Sequence, residues 1–246
     1  MNLVLLFPGD FTDPTHVTLT DYRAEHIREI HRASVGKTLK MGLVNSGVGE
    51  GTITHIQGSA ITIEVRIPDV RPETPRVSLI LALPRPQTLK KVLETAGAFG
   101  LRKVVLVATE RVQKSFFSSK LLKDKSWMKH LRLGMEQGGR TYLPEISVEP
   151  SLKPCFQNLH DHFPGAVRLI AHPGQEASLW ETPLALEGSR NVVCAVGPEG
   201  GWVDQEVALF RDAGFQSIRL GDTVHRVENA VTALLAQIEL FGMKGR

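Results

Sequence analysis

The sequence predicts an α/β fold built in two parts, a small β-barrel followed by a mostly parallel sheet. In the last two thirds of the chain, unbroken apolar segments alternate with amphipathic helical patterns, as in parallel sheets covered by helices on both faces. Several short segments rich in β-branched residues precede them, which is typical of a small barrel or sandwich. Three prolines in residues 68–75 separate the two patterns. We therefore expect domains at 1–70 and 77–246, joined by a linker at 71–76.

Four strands and one helix are predicted in the first domain. Asp21 is a suitable N-cap for a helix over 22–33, where Ala24, Ile27 and Ile30 recur at helical spacing. The "GVGEG" segment at 47–51 is similar to a nucleotide-binding loop, but a strand pattern follows it, so a hairpin turn is predicted instead. The predicted strands are 3–7, 38–44, 51–57 and 60–67.

Five strands and four helices are predicted in the second domain. The helix that ends at Gly214 has the glycine that a left-handed C-terminal cap favours. The strands are predicted at 77–83, 103–109, 167–172, 191–197 and 216–220, and the helices at 87–99, 119–137, 203–214 and 229–242.

The composition argues against several functional classes. Of the 246 residues, 42% are hydrophobic and 22% are charged, as in ordinary globular proteins. No apolar segment approaches the roughly 20 residues of a membrane span, and the first residues lack the basic lead of a signal peptide. Cys155 and Cys194 form no CxxC pair, so we expect no disulfide framework and no metal site. We therefore expect a cytoplasmic protein without a membrane partner.

Positive charge is concentrated in one part of the chain. Residues 85–140 hold 13 Lys and Arg against 4 Asp and Glu, whereas residues 1–76 hold 8 against 9. Such a density is typical of a phosphate-binding surface, and a solvated helical face is the alternative. Two segments of this block carry candidate contacts to nucleic acid, "LPRPQTLKK" at 83–91 and "MEQGGR" at 135–140.

The "GPEGG" segment at 197–201 lies between a predicted buried strand and a predicted helix. Ligands of open α/β sheets bind at this edge, where strands end, and glycines let a ligand approach the backbone closely. No Gly-Lys-Ser/Thr follows, so the segment is not a phosphate-binding P-loop. A tight structural turn is the alternative interpretation.

Two further strands end in glycine and polar residues, "AHPG" at 171–174 and "LGDTVHRVENA" at 220–230. We expect the three strand ends to converge on one pocket. His225, Arg226 and Glu228 are its candidate chemical groups. Each also has a simpler explanation. A carboxylate such as Glu228 is favoured in the first turn of a helix, His225 is explained equally well as an ordinary surface or core histidine, and Arg226 could pair with a nearby carboxylate.

Taken together, these motifs resemble the RsmE-type 16S rRNA uridine N3-methyltransferases of the SPOUT class, which use S-adenosylmethionine. Several motifs follow the order and spacing of that family. They are "GPEGG" with W-x-x-x-E after it, "GF" at 214–215, "LG" at 220–221 and R-V-E-x-A at 226–230, with "AHP", "LPRP" and "EQGGR" upstream. The resemblance extends over essentially the whole chain. It implies a PUA-like β-barrel that binds RNA, a SPOUT domain with a trefoil knot, and a homodimer that acts on the small ribosomal subunit.

The resemblance also implies which residues bind the cofactor, and the basic block of 85–140 indicates which residues bind the RNA. The cofactor would be held by three loops, largely through backbone atoms. Its contacts would be Ala171, His172, Pro173, Val196, Gly197, Pro198, Glu199, Gly200, Gly201, Leu220, Gly221, Val224, His225, Asn229 and Ala230. The RNA contacts would be Arg85, Lys90, Lys91, Gln137 and Arg140.

Methylation of uridine at N3 needs no metal, because the sulfonium of the cofactor is a good leaving group. N3 must lose its proton, and the resulting charge on O2 or O4 needs a donor or a cation. We assign that second role, or the anchoring of a phosphate, to Arg226. Glu228 is either the proton acceptor or the residue that orients Arg226. A paired glutamate at the start of a helix has low proton affinity, which favours the orienting role.

The last cofactor loop departs from the family at three positions. Thr223, His225 and Asn229 stand where the family has arginine, leucine and threonine, and Gln87-Thr88 stands where a lysine is common. The alternative function is therefore a non-catalytic RNA-binding paralogue, or an enzyme of the same fold with another RNA target.

Overall fold

The computed structural model describes residues 2–162, 165–174, 177–179, 181 and 191–243. Their strands form two sheets, one of five strands and one of six. The five-stranded sheet consists of β1 (Val4–Leu6), β2 (His16–Leu19), β3 (Thr38–Leu43), β4 (Val48–Gln57) and β5 (Ala60–Arg66), in the order β1-β3-β4-β5-β2. Apart from the parallel pair β1 and β3, its neighbours are antiparallel, and the sheet confirms the barrel-like fold expected from the sequence.

Helix α1 (Tyr22–Glu29) begins where the sequence predicts. The Asp21 carboxylate accepts a hydrogen bond from the backbone N–H of Arg23 and caps the helix. The helix ends four residues earlier than predicted, because Ile30 is 65% exposed and has no packing to hold a further turn. Arg32 then adopts a positive φ of 49°, which ends the helical path.

The "GVGEG" segment belongs to a β-hairpin, as predicted, but its glycines lie mostly in the strand. The turn occupies residues 44–47, and β4 begins at Val48. A Cβ built on Gly51 would lie 2.1 Å from Sδ of Met41 in the core of this sheet. Glycine is required there by side-chain packing between β3 and β4.

The six-stranded sheet is entirely parallel, as the continuous apolar strands predict. Its order is β11-β9-β10-β6-β7-β8. The strands are β6 (Val77–Ala82), β7 (Lys103–Val107), β8 (Glu145–Glu149), β9 (Val167–Ala171), β10 (Val192–Val196) and β11 (Gln216–Ile218). The sequence analysis missed β2 and β8, which are short or only partly buried and so lack a long apolar run.

Within the part of the chain that the structure describes, six helices accompany this sheet. They are α2 (Pro86–Phe99), α3 (Lys120–Lys123), α4 (Trp127–Gly138), α5 (Leu152–His162), α6 (Asp204–Asp212) and α7 (Val227–Met243). The continuous helix predicted over 119–137 is wrong, because Lys125 has a φ of 55° and Asp124 accepts from the backbone N–H of Ser126, which breaks it into α3 and α4. The sequence analysis did not predict α5.

Helices α2 and α4 pack with almost no side chain between them. A Cβ on Gly134 would lie 1.9 Å from the carbonyl oxygen of Glu94, and one on Gly138 would lie 2.2 Å from that of Ala98. The glycines of "MEQGGR" therefore serve helix packing, and Gly139 caps α4 with a φ of 65°. Because α2 packs against both α4 and α7 and buries its apolar residues in the core, it is a fixed platform for the residues at its start.

Strand β1 joins the two hydrophobic cores. Leu3 and Leu5 pack in the core of the parallel sheet, while Val4 and Leu6 pack in that of the five-stranded sheet. The alternation follows from the two-residue period of a strand, which sends successive side chains to opposite faces. The division into 1–70, 71–76 and 77–246 stays a prediction, as does the trefoil knot. No helix among the described residues is long and apolar enough to cross a membrane.

Candidate methyl-donor and RNA site

The ends of β9, β10 and β11 lie side by side at the carboxyl edge of the parallel sheet. Ala171, the last residue of β9, is in register with Val196 of β10 and with Ile218 of β11. The loops after these strands are those that carry "AHPG", "GPEGG" and "LGDTVHRVENA". The three strand ends therefore lie together as expected, and the pocket between their loops stays a prediction.

Trp202 holds the "GPEGG" turn against β9. Its indole N–H donates a hydrogen bond of 3.2 Å to the carbonyl oxygen of Ala171, and the residue is only 4% exposed. The same ring lies over Gly197, where an added Cβ would stand 3.1 Å from Cε2 of Trp202. The first glycine of the motif is thus needed for the contact with this ring.

The second half of the turn is shaped by Arg111 and by backbone geometry. The guanidinium of Arg111 donates to the carbonyl oxygen of Gly200, and its methylenes lie where a Gly200 side chain would stand. Gly201 has a φ of 73°, a left-handed conformation that glycine adopts without strain, and its N–H closes the turn on Pro198. Glu199 and Gly200 are exposed, so the backbone of this turn is open to a ligand.

Glu206, which the sequence analysis did not single out as a site residue, ties the start of α6, just after this turn, to the loop after β7. Its carboxylate accepts from the backbone N–H of Val203 at 3.0 Å and from that of Glu110 at 2.8 Å. The first bond caps α6 and the second fixes the loop after β7. The glutamate three residues into a helix was a detectable signal for the cap, but its contact with Glu110 depends on tertiary structure.

Glu199 and Glu228 each reach the start of α2. The carboxylate of Glu199 accepts from the backbone N–H of Arg85 at 3.2 Å, and Nε of Arg85 lies 3.8 Å away. The carboxylate of Glu228 accepts from Nζ of Lys91 at 3.1 Å. Two residues predicted to contact RNA therefore make ion pairs with the predicted cofactor loops.

Glu228 is an ionised carboxylate at neutral pH. A hydrogen bond from its own backbone N–H and the ammonium of Lys91 lower its pKa, with partial burial acting in the opposite direction. Its side chain is 13% exposed, and it lies in the first turn of α7, where the helix dipole favours a negative charge. A carboxylate with this low proton affinity is better suited to holding a cation than to accepting a proton.

The loop before α7 is exposed. Val224 is 81% exposed, and His225 and Arg226 are exposed as well. The guanidinium of Arg226 makes no ion pair or hydrogen bond with the described residues, and Glu228 has Lys91 as its hydrogen-bond partner. Arg226 is consequently available to a substrate, and it can be oriented by Glu228 only through their mutual attraction.

The other predicted cofactor contacts surround these loops. The backbone N–H of His172 donates to Ile218, and its buried ring Nδ1 has no partner among the described residues. The carbonyl of Leu220 already accepts from Nε2 of Gln237 at 3.0 Å. Pro173, Gly221 and Asn229 are exposed, while Ala230 is buried in α7.

The five predicted RNA contacts lie at two different edges of the sheet. Arg85, Lys90 and Lys91 are at the start of α2, by the carboxyl edge. Gln137 and Arg140 are at the end of α4, and the Arg140 side chain packs beside Gly100, which caps the other end of α2. Along the axis of α2, at 1.5 Å per residue, Arg85 lies about 22 Å and Lys91 about 14 Å from Gly100.

A cavity of 660 Å³, partly lined by Arg140, opens at the second of these edges, away from the three loops. The described residues contain no cluster of His, Cys, Asp and Glu that could hold a metal ion. Burial raises the pKa of the thiols of Cys155 and Cys194 to about 12, so neither is a nucleophile.

Comparison with known proteins identifies the family. A family model described as an RNA methyltransferase domain matches residues 72–239, more than half of the chain. The chain belongs to this family. The match covers the parallel sheet, the three loops at its carboxyl edge and most of α7.

Individual relatives agree with the family over nearly the whole length. The chain is 26% identical to ribosomal RNA small subunit methyltransferase E 1 of Borreliella burgdorferi, over 95% of both chains. It is 27% identical to ribosomal RNA small subunit methyltransferase E of Treponema pallidum, over 97% of this chain and 90% of the other. The resemblance to RsmE-type RNA methyltransferases is thereby confirmed.

Solved structures show the same fold. The structure of ribosomal RNA small subunit methyltransferase E from Neisseria gonorrhoeae bound to S-adenosyl methionine matches with a TM-score of 0.77 at 21% identity, covering 98% of both chains. A putative methyltransferase from Legionella pneumophila in complex with the same cofactor matches with a TM-score of 0.78 at 21% identity, covering 98% of this RNA methyltransferase and 99% of that chain.

Proposed function

We propose that this RNA methyltransferase transfers the methyl group of S-adenosylmethionine to N3 of a specific uridine in the 16S rRNA of the small ribosomal subunit. The observation that carries the proposal is the open "GPEGG" turn, which Trp202 holds beside two further loops at the carboxyl edge of the sheet. The family match and the names of the full-length relatives support an RNA substrate and ribosomal RNA in particular.

The residues at this edge fit the cofactor. Exposed backbone at Glu199 and Gly200 offers N–H and C=O groups, and the buried Nδ1 of His172 lacks a partner among the described residues. An adenosine needs such backbone groups, since its base is recognised by donors and acceptors at close range. We propose that the three loops hold it through the fifteen contacts predicted from the sequence.

When bound, S-adenosylmethionine supplies a methyl group on a positively charged sulfur, which leaves as a neutral thioether. The nitrogen lone pair of uridine N3 forms the new C–N bond, and the N3 proton must pass to an acceptor or an ordered water. Arg226, whose guanidinium makes no hydrogen bond or ion pair with the described residues, stabilises the negative charge on O2 or O4 or anchors a phosphate. Glu228 serves as an orienting carboxylate.

The target uridine must be presented unpaired, because N3 lies on its Watson–Crick edge. Flipping a base into a pocket costs a few kcal/mol, which contacts to the surrounding phosphates can offset. We propose that Lys90 and Arg140 supply such contacts, with Gln137 and the five-stranded sheet as further RNA-binding parts. We further propose that the protein is a homodimer and that its parallel-sheet domain contains a trefoil knot.

The modification itself provides the test. Reverse transcriptase halts one nucleotide before an N3-methylated uridine, because the methyl group blocks pairing. We expect this stop in small-subunit rRNA from cells with the gene, its loss on deletion, and its return with the wild-type gene. The Arg226→Ala variant should not restore it, whereas Arg211→Ala, which changes an exposed arginine of α6, should.

Three outcomes separate the alternatives. If deletion leaves every stop unchanged, the N3 assignment is wrong. If the purified protein binds S-adenosylmethionine but transfers no methyl group to assembled subunits or other cellular RNA, it is a non-catalytic RNA-binding paralogue. If it methylates another RNA, it is a retargeted enzyme, and restoring the family residues at Thr223, His225 and Asn229 is the repair to attempt.

A further inference from the structure

The start of α2 is connected to two of the three loops at the carboxyl edge. Glu199 of the "GPEGG" turn accepts from the backbone N–H of Arg85, and Glu228, directly after the exposed loop, accepts from the ammonium of Lys91. Nε of Arg85 is also held by Oγ1 of Thr88 at 3.1 Å. The two acidic residues come from distant parts of the chain, 114 and 137 residues from their partners.

Helix α2 is anchored well enough to position these loops. Leu89, Val92 and Leu93 are buried in the core, and the glycine contacts with α4 prevent the helix from moving sideways. The loop that ends at Arg226 is exposed, and its end is attached through Glu228. The ion pair with Lys91 therefore joins α2 to the first turn of α7, the turn that the exposed 220–226 loop enters.

The three basic side chains near the start of α2, those of Arg85, Lys90 and Lys91, differ in their contacts with the rest of the protein. The side chain of Glu228 is 13% exposed, and its charge is stabilised by its own backbone N–H and by the ammonium of Lys91. The side chain of Lys90, the residue before Lys91, makes no ion pair or hydrogen bond with the described residues. A helix turns by about 100° per residue, so the neighbouring lysines point in clearly different directions.

We propose that Lys91 is a positioning residue of the cofactor site, which holds Glu228 and thereby the end of the 220–226 loop, while Lys90 contacts RNA phosphate. Arg85 supports the same arrangement through Glu199, with a weaker contribution, since both partners of that pair are largely exposed. The inference rests on the proposed function, because it gives α2 a part in binding S-adenosylmethionine. It differs from the expectation that all the basic residues of this segment bind phosphates.

The test measures two quantities for the same variants. Calorimetry without RNA gives the affinity for S-adenosylmethionine, and RNA binding at several salt concentrations gives the log–log slope. Lys91→Met should weaken cofactor binding by roughly three- to tenfold, as expected for the loss of a hydrogen-bonded charge at a partly exposed site, with no change in the slope. Lys90→Met should keep the cofactor affinity and lower the slope by about 0.7 to 1.

A double-mutant comparison of Lys91 and Glu228 provides the control for general damage to the fold. Glu228→Gln should weaken cofactor binding about as much as Lys91→Met does, and the double variant should be no weaker than either single one. Lys91→Arg should retain most of the affinity, because it keeps the charge. Additive losses in the double variant, or a Lys91→Met protein with unchanged cofactor affinity and a reduced salt slope, would overturn the inference.

The outcomes also distinguish this inference from the proposed function. A wild-type protein that methylates assembled subunits, with Lys91→Met behaving like Lys90→Met, overturns the inference alone. A wild-type protein that binds the cofactor with the expected coupling but leaves all RNA unmethylated overturns the proposed function alone. Absence of cofactor binding by the wild type overturns both.

Discussion

Replacing Trp202 by phenylalanine tests how the "GPEGG" turn is held. The phenylalanine ring retains part of the edge-on contact with Phe210, whose centroid lies 4.8 Å from that of Trp202, but the donor to the carbonyl of Ala171 is lost. Loss of a buried hydrogen bond that leaves one partner unsatisfied costs about 1–3 kcal/mol. For a protein of this size each kcal/mol lowers the Tm by about 2–4 °C, so we expect a decrease of roughly 4–8 °C at 2 kcal/mol.

Thermal unfolding followed by circular dichroism measures this change, and calorimetry with S-adenosylmethionine measures its effect on the site. Trp127→Phe is the matched control, because its half-buried indole N–H has no hydrogen-bond partner among the described residues. We expect the Trp202 variant to bind the cofactor more weakly and the control to bind normally. A Tm within 1 °C of the wild type together with unchanged cofactor affinity would show that the bond to Ala171 does not hold the turn.

Three further predictions concern stability and RNA binding. Burial raises the pKa of Glu136 to about 7. The carboxyl group therefore holds its proton more tightly in the folded protein than in the unfolded chain. As a result, the free energy of unfolding should fall by up to about 3 kcal/mol as pH rises from about 4.5 to 7. In Glu136→Gln this contribution is absent, and urea unfolding at pH 5 and pH 8 should show a smaller difference between the two midpoints than in the wild type. Gly134→Ala should lower the free energy of unfolding by about 1–3 kcal/mol or more, because the added Cβ meets a backbone oxygen at 1.9 Å. Gly9→Ala, with open space around it, should change the urea midpoint little. Equal midpoints for the two variants would contradict the close packing of α2 and α4. Arg140→Ala should lower the log–log salt slope of RNA binding by about 0.7 to 1, and an unchanged slope would remove it from the RNA surface.

Much of the parallel-sheet fold could be predicted because its signals are local. Five of its six strands and most of its helices appear as apolar runs or helical periodicity, and Gly214 does adopt the left-handed conformation of a helix cap, with a φ of 79°. The missed strand β8 is a partly exposed edge strand without a long apolar run, and the break between α3 and α4 depends on the single conformation of Lys125. Such features are decided by short contacts that leave no periodic pattern.

The candidate site, like the fold, could be predicted from the sequence only in part. The glycines of "GPEGG" and their place after a buried strand were visible in the sequence, whereas the bonds that hold the turn, from Trp202 to Ala171 and from Arg111 to Gly200, were not. The basic block from 85 to 140 looked like one surface. The structure places its two groups of predicted RNA contacts at different edges of the sheet and pairs Lys91 with a carboxylate.

By itself, the sequence determined the α/β class, the parallel sheet, the order of the three loops and the RNA methyltransferase motifs, because these depend on residue type and spacing along the chain. Only the tertiary structure decided which charges are paired, that β1 contributes to both cores, and that Glu228 meets Lys91. The physical reason is that charge pairing and core membership depend on distances between residues far apart in sequence. Those distances exist only after the helices and strands have packed.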